Sequence, residues 1–226
     1  MINTKVIFVE GADYSGKTTF IKKITDKLSK EGQTFLILKE PFGIYRDILL
    51  DPKGELTFLN RRMLFAAGHI EIMNKIVETV KYENFDYIFI DRTSIISDWV
   101  YSIAENPNQA KTLEKVLNTI EYADKNFYES FFKNNSSIIL LDIQRNVIAN
   151  RIESRKIDSN DINDIKSSEF KMKIYDTYHY LIETFGTSDF SRFFNEYMIL
   201  DSEEKADDLA RGGIENAIFI PFNKEK

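Results

Sequence analysis

The chain has 226 residues and no cysteine, which excludes a disulfide scaffold, a thiolate–zinc site and catalysis by a cysteine nucleophile. Its 30 lysines and arginines face 36 aspartates and glutamates, and the formal charge of −6 argues against a protein that binds nucleic acid through a broad basic surface. The composition, with 43% hydrophobic and 29% charged residues, is typical of a globular protein. Since no apolar run approaches membrane-spanning length and no leader pattern is seen, we expect a cytoplasmic protein that meets anionic ligands with local positive charge.

Short apolar runs alternate with longer helical patterns, an order typical of βαβ units and of a parallel sheet. The predicted strands are rich in Ile, Val and Phe and lie at residues 5–10, 34–38, 87–91, 138–142 and 197–201. Apolar stripes at helical spacing predict helices that pack on this sheet at residues 20–28, 113–120 and 170–185. We therefore expect an α/β fold with a five-stranded parallel sheet and helices on both faces.

The domain organisation is expected to be simple. No internal repeat and no Pro- or Gly-rich linker divides the chain, so residues 1–226 are predicted to form one domain. Residues 156–168 are polar and acidic with isolated isoleucines, and we interpret them as a surface excursion rather than a domain boundary.

A phosphate-binding pattern follows the first predicted strand. Residues 11–18 read GADYSGKT, which matches G-x-x-x-x-G-K-[ST] between a strand and a helix. The two glycines permit backbone conformations in which successive N–H groups converge on phosphate oxygens. Lys17 is placed to reach the β- and γ-phosphates, the Thr18 hydroxyl is placed to bind Mg²⁺, and Thr19 belongs to the helix start. The loop residues predicted to bind a nucleoside triphosphate are Gly11, Ala12, Asp13, Tyr14, Ser15, Gly16, Lys17, Thr18 and Thr19.

Charged residues also follow the second and third predicted strands, where ligands bind in open α/β sheets. Glu40 comes after the second strand, and Asp91 and Arg92 stand at the end of the third. Phosphoryl transfer needs such groups, because an acid organises Mg²⁺ or orients the acceptor, and an arginine holds the acceptor's phosphate with two hydrogen bonds. The alternative for Asp91 is a cap on the following helix.

In this order the segments resemble the thymidylate kinases, a family of nucleoside monophosphate kinases. The resemblance covers almost the whole chain and rests on the phosphate loop, EPFG at 40–43, RDILLDP at 46–52, LFAA at 64–67, DR at 91–92, and similar residues at 141–142, 151–155, 170–178 and 199–201. It implies a three-layer P-loop fold with a short lid at residues 151–168, and a homodimer. The many Lys, Asn and Ile residues are typical of an AT-rich genome and suggest a divergent viral member.

The resemblance also implies the reaction and its residues. ATP would lie on the phosphate loop with Mg²⁺, held by Thr18 and Asp91, and a deoxynucleoside monophosphate such as dTMP would bind between the second and third strands. The γ-phosphoryl group would pass to the acceptor's phosphate. The implied catalytic residues are Asp13, Lys17, Asp91, Arg92 and Arg155. The implied acceptor-binding residues are Asp13, Glu40, Arg46, Phe65, His69, Arg92, Ser97 and Tyr101.

Several of these roles have a plainer alternative. Phe65 would stack on the base, or it is a core residue of its helix. Arg151 would lie against adenine and Arg155 would reach the transferred phosphoryl group, or both are solvated helix charges. Tyr14 stands where relatives carry Arg or Gly, so the phosphate loop supplies no arginine. The lid must then supply the arginine that reaches the phosphates, which favours this role for Arg155.

His69 stands where the family usually carries a base-contacting arginine. It lies four residues after Phe65, on the same helical face. A histidine is shorter than an arginine and usually neutral at pH 7, and its alternative role is structural. If it contacts the base, the protein should also accept dUMP or a 5-modified pyrimidine deoxynucleotide.

Two other functions remain open from the sequence. Ser97 and Asp98 also resemble the deoxynucleoside kinases, which phosphorylate a nucleoside 5′-hydroxyl and need a base that Glu40 or Asp91 would provide. Such an enzyme would leave the predicted phosphate-binding arginines partly unused. A nucleotide sensor without turnover is suggested by the lid, where DSND at residues 158–161 replaces the family's Asp-Arg-x-Glu.

Overall fold

A computed structural model describes residues 4–40, 43–50, 57–105, 135–154, 168–188, 190 and 193–222. The predicted helix at 113–120, Arg155 and residues 156–167 of the predicted lid lie outside these residues. Within the described ranges, no helix combines the length and apolar character needed to cross a membrane.

The five predicted strands are confirmed, with ends shifted by at most two residues. They are β1 (Lys5–Gly11), β2 (Phe35–Lys39), β3 (Tyr87–Asp91), β4 (Ser136–Leu141) and β5 (Glu196–Leu200). Nearly every side chain of β1, β3 and β4 is buried. Because central parallel strands are covered on both faces, their sequences are continuously apolar rather than alternating.

A sixth strand was missed by the sequence analysis. β6 (Ile220–Pro221) pairs antiparallel with β5, where Tyr197 faces Ile220. Two residues, one of them a proline, give no strand pattern, although proline is tolerated on an edge strand. The expected five-stranded parallel sheet is therefore a six-stranded sheet that is mostly parallel.

The strand order is β2-β3-β1-β4-β5-β6. β1 lies between β3 and β4, and Asp91 at the end of β3 is in register with Val9 of β1 and Lys39 of β2. Because these strands run parallel, their carboxyl ends meet at one edge of the sheet. The loop after β1, the Asp91–Arg92 turn and Glu40 are thus brought together by the topology, as expected from the sequence.

Helices and short turns connect the strands. The helices are α1 (Lys17–Lys30), α2 (Gly43–Leu50), α3 (Phe58–Tyr82), α4 (Ser94–Glu105), α5 (Arg145–Ser154), α6 (Ser168–Thr184) and α7 (Glu203–Gly212). Their apolar stripes are buried as predicted at 20–28 and 174–182, whereas Phe170 is only partly buried and Phe185 belongs to a following 3₁₀ turn (Phe185–Thr187). α1 packs on α7, and α4 packs on both α3 and α6.

Candidate active site

A cleft of about 530 Å³ opens at the carboxyl edge of the sheet, around the loop that joins β1 to α1. Residues 13–19 line one side of it. Asp91 and Arg92 reach it from the end of β3, Arg151 from α5 and Glu203 from the start of α7. The cleft therefore joins three of the segments that the sequence singled out.

The backbone of the loop explains its glycines. Gly11 has φ +149° and Gly16 has φ +89°. A Cβ atom on Gly11 would lie 2.6 Å from the carbonyl oxygen of Leu141, so no side chain fits between β1 and β4 there. Gly16 directly precedes α1, whose amino-terminal N–H groups and positive dipole end are suited to bind an anion.

Lys17 is buried at the floor of this loop. Its ammonium group donates hydrogen bonds to the carbonyl oxygens of Gly11 at 2.7 Å and Ala12 at 2.8 Å. Burial and the nearby positive charge of Arg92 lower the pKa of Lys17 to about 8. The amine is thus held among main-chain oxygens, in the loop whose amides would cradle phosphates.

Ser15 gives an observation that bears on the ligand. Among the described residues, its buried hydroxyl finds no hydrogen-bond partner. A buried polar group without a partner is costly unless a ligand or water satisfies it. Together with the backbone amides of the loop, this hydroxyl fits the oxygens of a phosphate chain.

Thr18 and Asp91 offer oxygen atoms to a metal ion. The Thr18 hydroxyl donates to Asp91 Oδ2 at 2.9 Å, and Lys39 Nζ lies 3.5 Å from the same oxygen. Hydroxyl and carboxylate oxygens are the hard ligands that Mg²⁺ binds beside substrate phosphates. The residues therefore fit the metal. The cap of α4 is Thr93, whose hydroxyl accepts the Ile96 N–H at 3.0 Å, rather than Asp91.

Asp13 and Arg92 form an ion pair at the mouth of the cleft. The Arg92 guanidinium donates to Asp13 Oδ1, and Tyr101 donates to Asp13 Oδ2 at 2.6 Å. Burial alone would raise the pKa of Asp13, but the charges of Arg92 and Lys17 hold it well below its usual range. The sequence analysis assigned Asp13, Arg92 and Tyr101 to one acceptor-binding site. In the structure, Arg92 and Tyr101 both contact Asp13 directly.

Arg151 closes the cleft from the opposite side. One guanidinium nitrogen donates to the carbonyl oxygen of Tyr14 at 2.7 Å, and the other pairs with Glu203. The side chain is one third exposed. Arg151 therefore bridges the phosphate loop and α7, and it is not simply a solvated helix charge.

The remaining predicted residues lie at different depths. Phe65 is partly buried on α3, and Ser97 is buried on α4, where its hydroxyl lies 3.2 Å from that of Tyr178. Arg46 belongs to α2, but its side chain is not described, and Arg155 lies outside the described residues. The roles of these four residues stay predictions.

Known proteins resemble this chain over most of its length. The model of the thymidylate kinase family matches residues 9–191. The chain belongs to the thymidylate kinase family. A thymidylate kinase of Caldanaerobacter subterraneus subsp. tengcongensis is 28% identical over 187 residues, which cover 80% of this chain and 83% of the relative. One of Geobacillus sp. is 24% identical over 211 residues, 88% of this chain and 89% of the relative, and one of Thermoanaerobacter sp. is 34% identical over 103 residues, 43% and 49% respectively.

Within this thymidylate kinase fold, the sequence departures have structural counterparts. His69 is buried, and its Nδ1 lies 3.3 and 3.4 Å from the two carboxylate oxygens of Glu40, which is buried as well. The two residues thus form a pair that joins α3 to the end of β2. Tyr14, in place of an arginine or glycine, lies with its ring 5.4 Å from Nζ of Lys171 on α6.

The sequence analysis missed two further parts of this kinase site. Lys171 comes from the helix after the predicted lid, and nothing in its neighbourhood marks it. Glu10 is fully buried and accepts hydrogen bonds from Gly11, Thr93 and Tyr178. The sequence does contain a signal for Glu10, since an acid ends the apolar strand KVIFVE. A buried carboxylate needs several hydrogen-bond donors, so such an acid is expected to connect neighbouring segments.

Proposed function

We propose that this protein transfers the γ-phosphoryl group of ATP to the phosphate of dTMP, giving ADP and dTDP. The observation that supports the proposal is the contact of Arg92 with Asp13, because a cation of the β3 turn lies against the phosphate loop in a member of the thymidylate kinase family. One cleft thus offers a donor loop and a cation for a second phosphate.

The reaction requires positioning more than acid–base chemistry. The acceptor's phosphate oxygen is already ionised at neutral pH, so its attack needs no general base, and the bond to the β-phosphate breaks as the new bond forms. Lys17, the Ser15 hydroxyl and the loop amides bind the donor's phosphates in this proposal, with Arg151 beside the adenine. Arg92 neutralises and orients the acceptor's phosphate.

Mg²⁺ is proposed as the metal, held by Thr18 and Asp91. Bound there, it would neutralise charge on the phosphates. Lys39 Nζ lies 3.5 Å from Asp91 Oδ2, and its positive charge partly compensates the negative charge of this carboxylate.

The acceptor pocket is proposed to lie between the ends of β2 and β3. The residues assigned to it are Asp13, Glu40, Arg46, Phe65, His69, Arg92, Ser97 and Tyr101. Glu40 contacts His69 at Nδ1 and restrains the ring, and a histidine side chain is shorter than the arginine that relatives carry. We therefore propose that dUMP or a 5-modified pyrimidine nucleotide is accepted as well as dTMP.

Three finer proposals rest on the family alone. Arg155 would reach the transferred phosphoryl group from a lid at residues 151–168 of a single domain. The protein would act as a homodimer. It would work in the cytoplasm, in dTDP biosynthesis.

Steady-state rates with ATP, Mg²⁺ and a panel of acceptors test the function. We expect dTMP to be turned over, dUMP or a 5-modified nucleotide to be turned over as well, and thymidine not to be.

Arg92→Ala should lower kcat/KM for dTMP by about 100-fold or more, the scale of a lost charge-assisted contact in a closed site. ATP binding by that variant should persist.

A matched arginine variant is available as a control. Arg145 pairs with Asp176 on the surface and does not line the cleft, so Arg145→Ala should retain full activity. Turnover of thymidine with unaltered dTMP kinetics in Arg92→Ala would contradict the acceptor site and favour a nucleoside kinase.

A further inference from the structure

Glu10 is a buried acid that no step of the proposed reaction uses. It lies in β1 directly before the phosphate loop and is fully buried. Its Oε1 accepts the Gly11 N–H at 3.0 Å and the Tyr178 hydroxyl at 3.0 Å, and its Oε2 accepts the Thr93 N–H at 2.7 Å. One carboxylate thus bonds the donor loop, the turn after β3 and helix α6.

The turn that Glu10 holds is strained. Arg92 has φ +77°, a left-handed conformation that a residue with a Cβ rarely adopts and that costs about 1–3 kcal/mol. The amide groups on both sides of this residue are bonded to β1: Arg92 N–H donates to Val9 O at 3.0 Å, and Thr93 N–H donates to Glu10. This backbone directs the guanidinium to Asp13. Without the bond to Glu10, the left-handed turn loses one of the two N–H bonds that tie it to β1.

Glu10 is in turn oriented by residues far along the chain. The Tyr178 hydroxyl, which donates to Oε1, lies 3.2 Å from the Ser97 hydroxyl of α4. α6 and α4 pack on each other, so these hydroxyls connect the carboxylate to both helices. Lys17 and Arg92 add favourable charge around the carboxylate, whose burial is otherwise unfavourable.

We propose that Glu10 is the positioning residue of the acceptor-phosphate arginine: through the Thr93 N–H it fixes the turn that aims Arg92. The inference rests on the proposed function. Glu10 does not touch substrate in this role. Its effect should therefore appear in acceptor binding and turnover, and far less in ATP binding.

The variant Glu10→Gln distinguishes the hydrogen bonds made by Oε1 from the one made by Oε2. The amide keeps the size of the side chain but has one acceptor oxygen. At the Oε1 position that oxygen retains two donors, Gly11 and Tyr178, whereas at the Oε2 position it would retain only Thr93. The amide NH₂ should therefore face the Thr93 N–H, where two donors repel, and release the turn while the bond to the phosphate loop survives.

The experiment compares steady-state kinetics of the wild type, Glu10→Gln and a control. We expect Glu10→Gln to raise KM for dTMP about tenfold and lower kcat about tenfold or more, with KM for ATP changed less than about threefold. The matched control is Glu196→Gln, since Glu196 accepts from Ser137 at 2.6 Å at the opposite edge of the sheet. Its constants should equal those of the wild type.

The outcomes distinguish this inference from the function on which it rests. A wild type that forms no dTDP would refute the function. Two results with a folded Glu10→Gln would overturn the positioning role alone. In the first, KM is unchanged for both dTMP and ATP, even if Vmax falls with the folded fraction. In the second, KM rises equally for both substrates.

If Glu10→Gln does not fold, the variant Tyr178→Phe tests the proposal. It removes one donor to Oε1, and we expect KM for dTMP to rise about threefold at constant KM for ATP. Unchanged kinetics in that variant would overturn the proposal.

Discussion

The Arg92 guanidinium donates a hydrogen bond to Asp13 Oδ1 across 79 positions of the chain, and so joins the turn after β3 to the phosphate loop. Both side chains are about four-fifths buried, at 19% and 18% exposure. Tyr101 holds the second oxygen of Asp13 from α4. The arginine is therefore held in the cleft before a substrate arrives, which reduces the entropy lost when an acceptor binds.

Asp13→Asn should weaken this arrangement without creating a cavity. The amide retains the shape of the side chain but loses the charge that holds Arg92, so we expect kcat/KM for dTMP to fall about 10- to 100-fold. ATP should bind as well or better, because a negative charge has left the phosphate loop. Asp86→Asn is the control, since Asp86 bonds Thr34 at the opposite edge of the sheet. Equal losses for ATP and dTMP would contradict the prediction.

Lys17 should make ATP binding depend on pH. Burial and Arg92 lower its pKa to about 8, so in the free protein the amine loses its charge as the pH rises through that value. The charged amine is the form that attracts phosphates. We therefore expect the Kd for Mg–ATP, measured by titration calorimetry, to rise about tenfold or more between pH 7 and 9.5.

Lys17→Arg tests whether this group is responsible. A guanidinium stays charged across that range, so the variant should bind ATP with little pH dependence, whatever its affinity. The same slope in the wild type and in Lys17→Arg would assign the titration to another group.

The sequence was sufficient for the central strands but not for the sheet edge. Buried runs such as KVIFVEG and YIFID are short and rich in β-branched and aromatic residues, a composition typical of a covered parallel strand. β6 has two residues, and its pairing with Tyr197 depends on where the chain returns after α7. Such pairing is set by tertiary structure, so no local pattern indicates it.

The candidate site was predictable in the same uneven way. The phosphate loop and the Asp91–Arg92 turn are local patterns, and parallel topology brings their ends together. The partners of individual side chains are not local: Glu10 and Tyr178 are 168 residues apart, and His69 and Glu40 are 29 apart. The sequence indicated that His69 departs from relatives, but only packing shows that it pairs with an acid.

Asp98 should make stability fall as the pH rises from about 4 to 7. The residue is buried between α4 and α3, where its Oδ2 accepts from Arg62 at 3.1 Å. Burial raises the pKa of Asp98 to about 7, although Arg62 opposes the shift. The folded state then binds more protons than the unfolded state between these pH values, so the stabilisation present at low pH is lost as the pH rises through about 7.

Urea unfolding of the wild type and Asp98→Asn at pH 5 and pH 8 measures this effect. We expect the difference in unfolding free energy between them to change by about 3 kcal/mol, because the pKa of about 7 lies two pH units above pH 5 and each unit is worth about 1.4 kcal/mol. Arg62→Met should destabilise the protein by about 3 kcal/mol at pH 8, where it leaves a buried charge unpaired. A pH-independent difference between the wild type and Asp98→Asn would contradict the assignment.

Three glycine-to-alanine variants separate steric from conformational cost. Gly212 ends α7 with open space around it, so alanine should stabilise the fold by about 0.5 kcal/mol. Gly32 also has open space but a φ of +73°, so alanine should cost about 1 kcal/mol. At Gly11 the added Cβ meets the Leu141 carbonyl at 2.6 Å, in a register that joins β1 to β4.

Gly11→Ala should therefore cost about 3 kcal/mol or more, because backbone of the central strands must move apart. The same movement displaces the first amide of the phosphate loop, so ATP binding should weaken by at least tenfold in the fraction that remains folded. Neither of the other two variants should alter ATP affinity. Urea unfolding and ATP titration on the three proteins give both quantities. Equal destabilisation by Gly11→Ala and Gly32→Ala would show that the loop tolerates a Cβ, and that its first glycine is present for its φ alone.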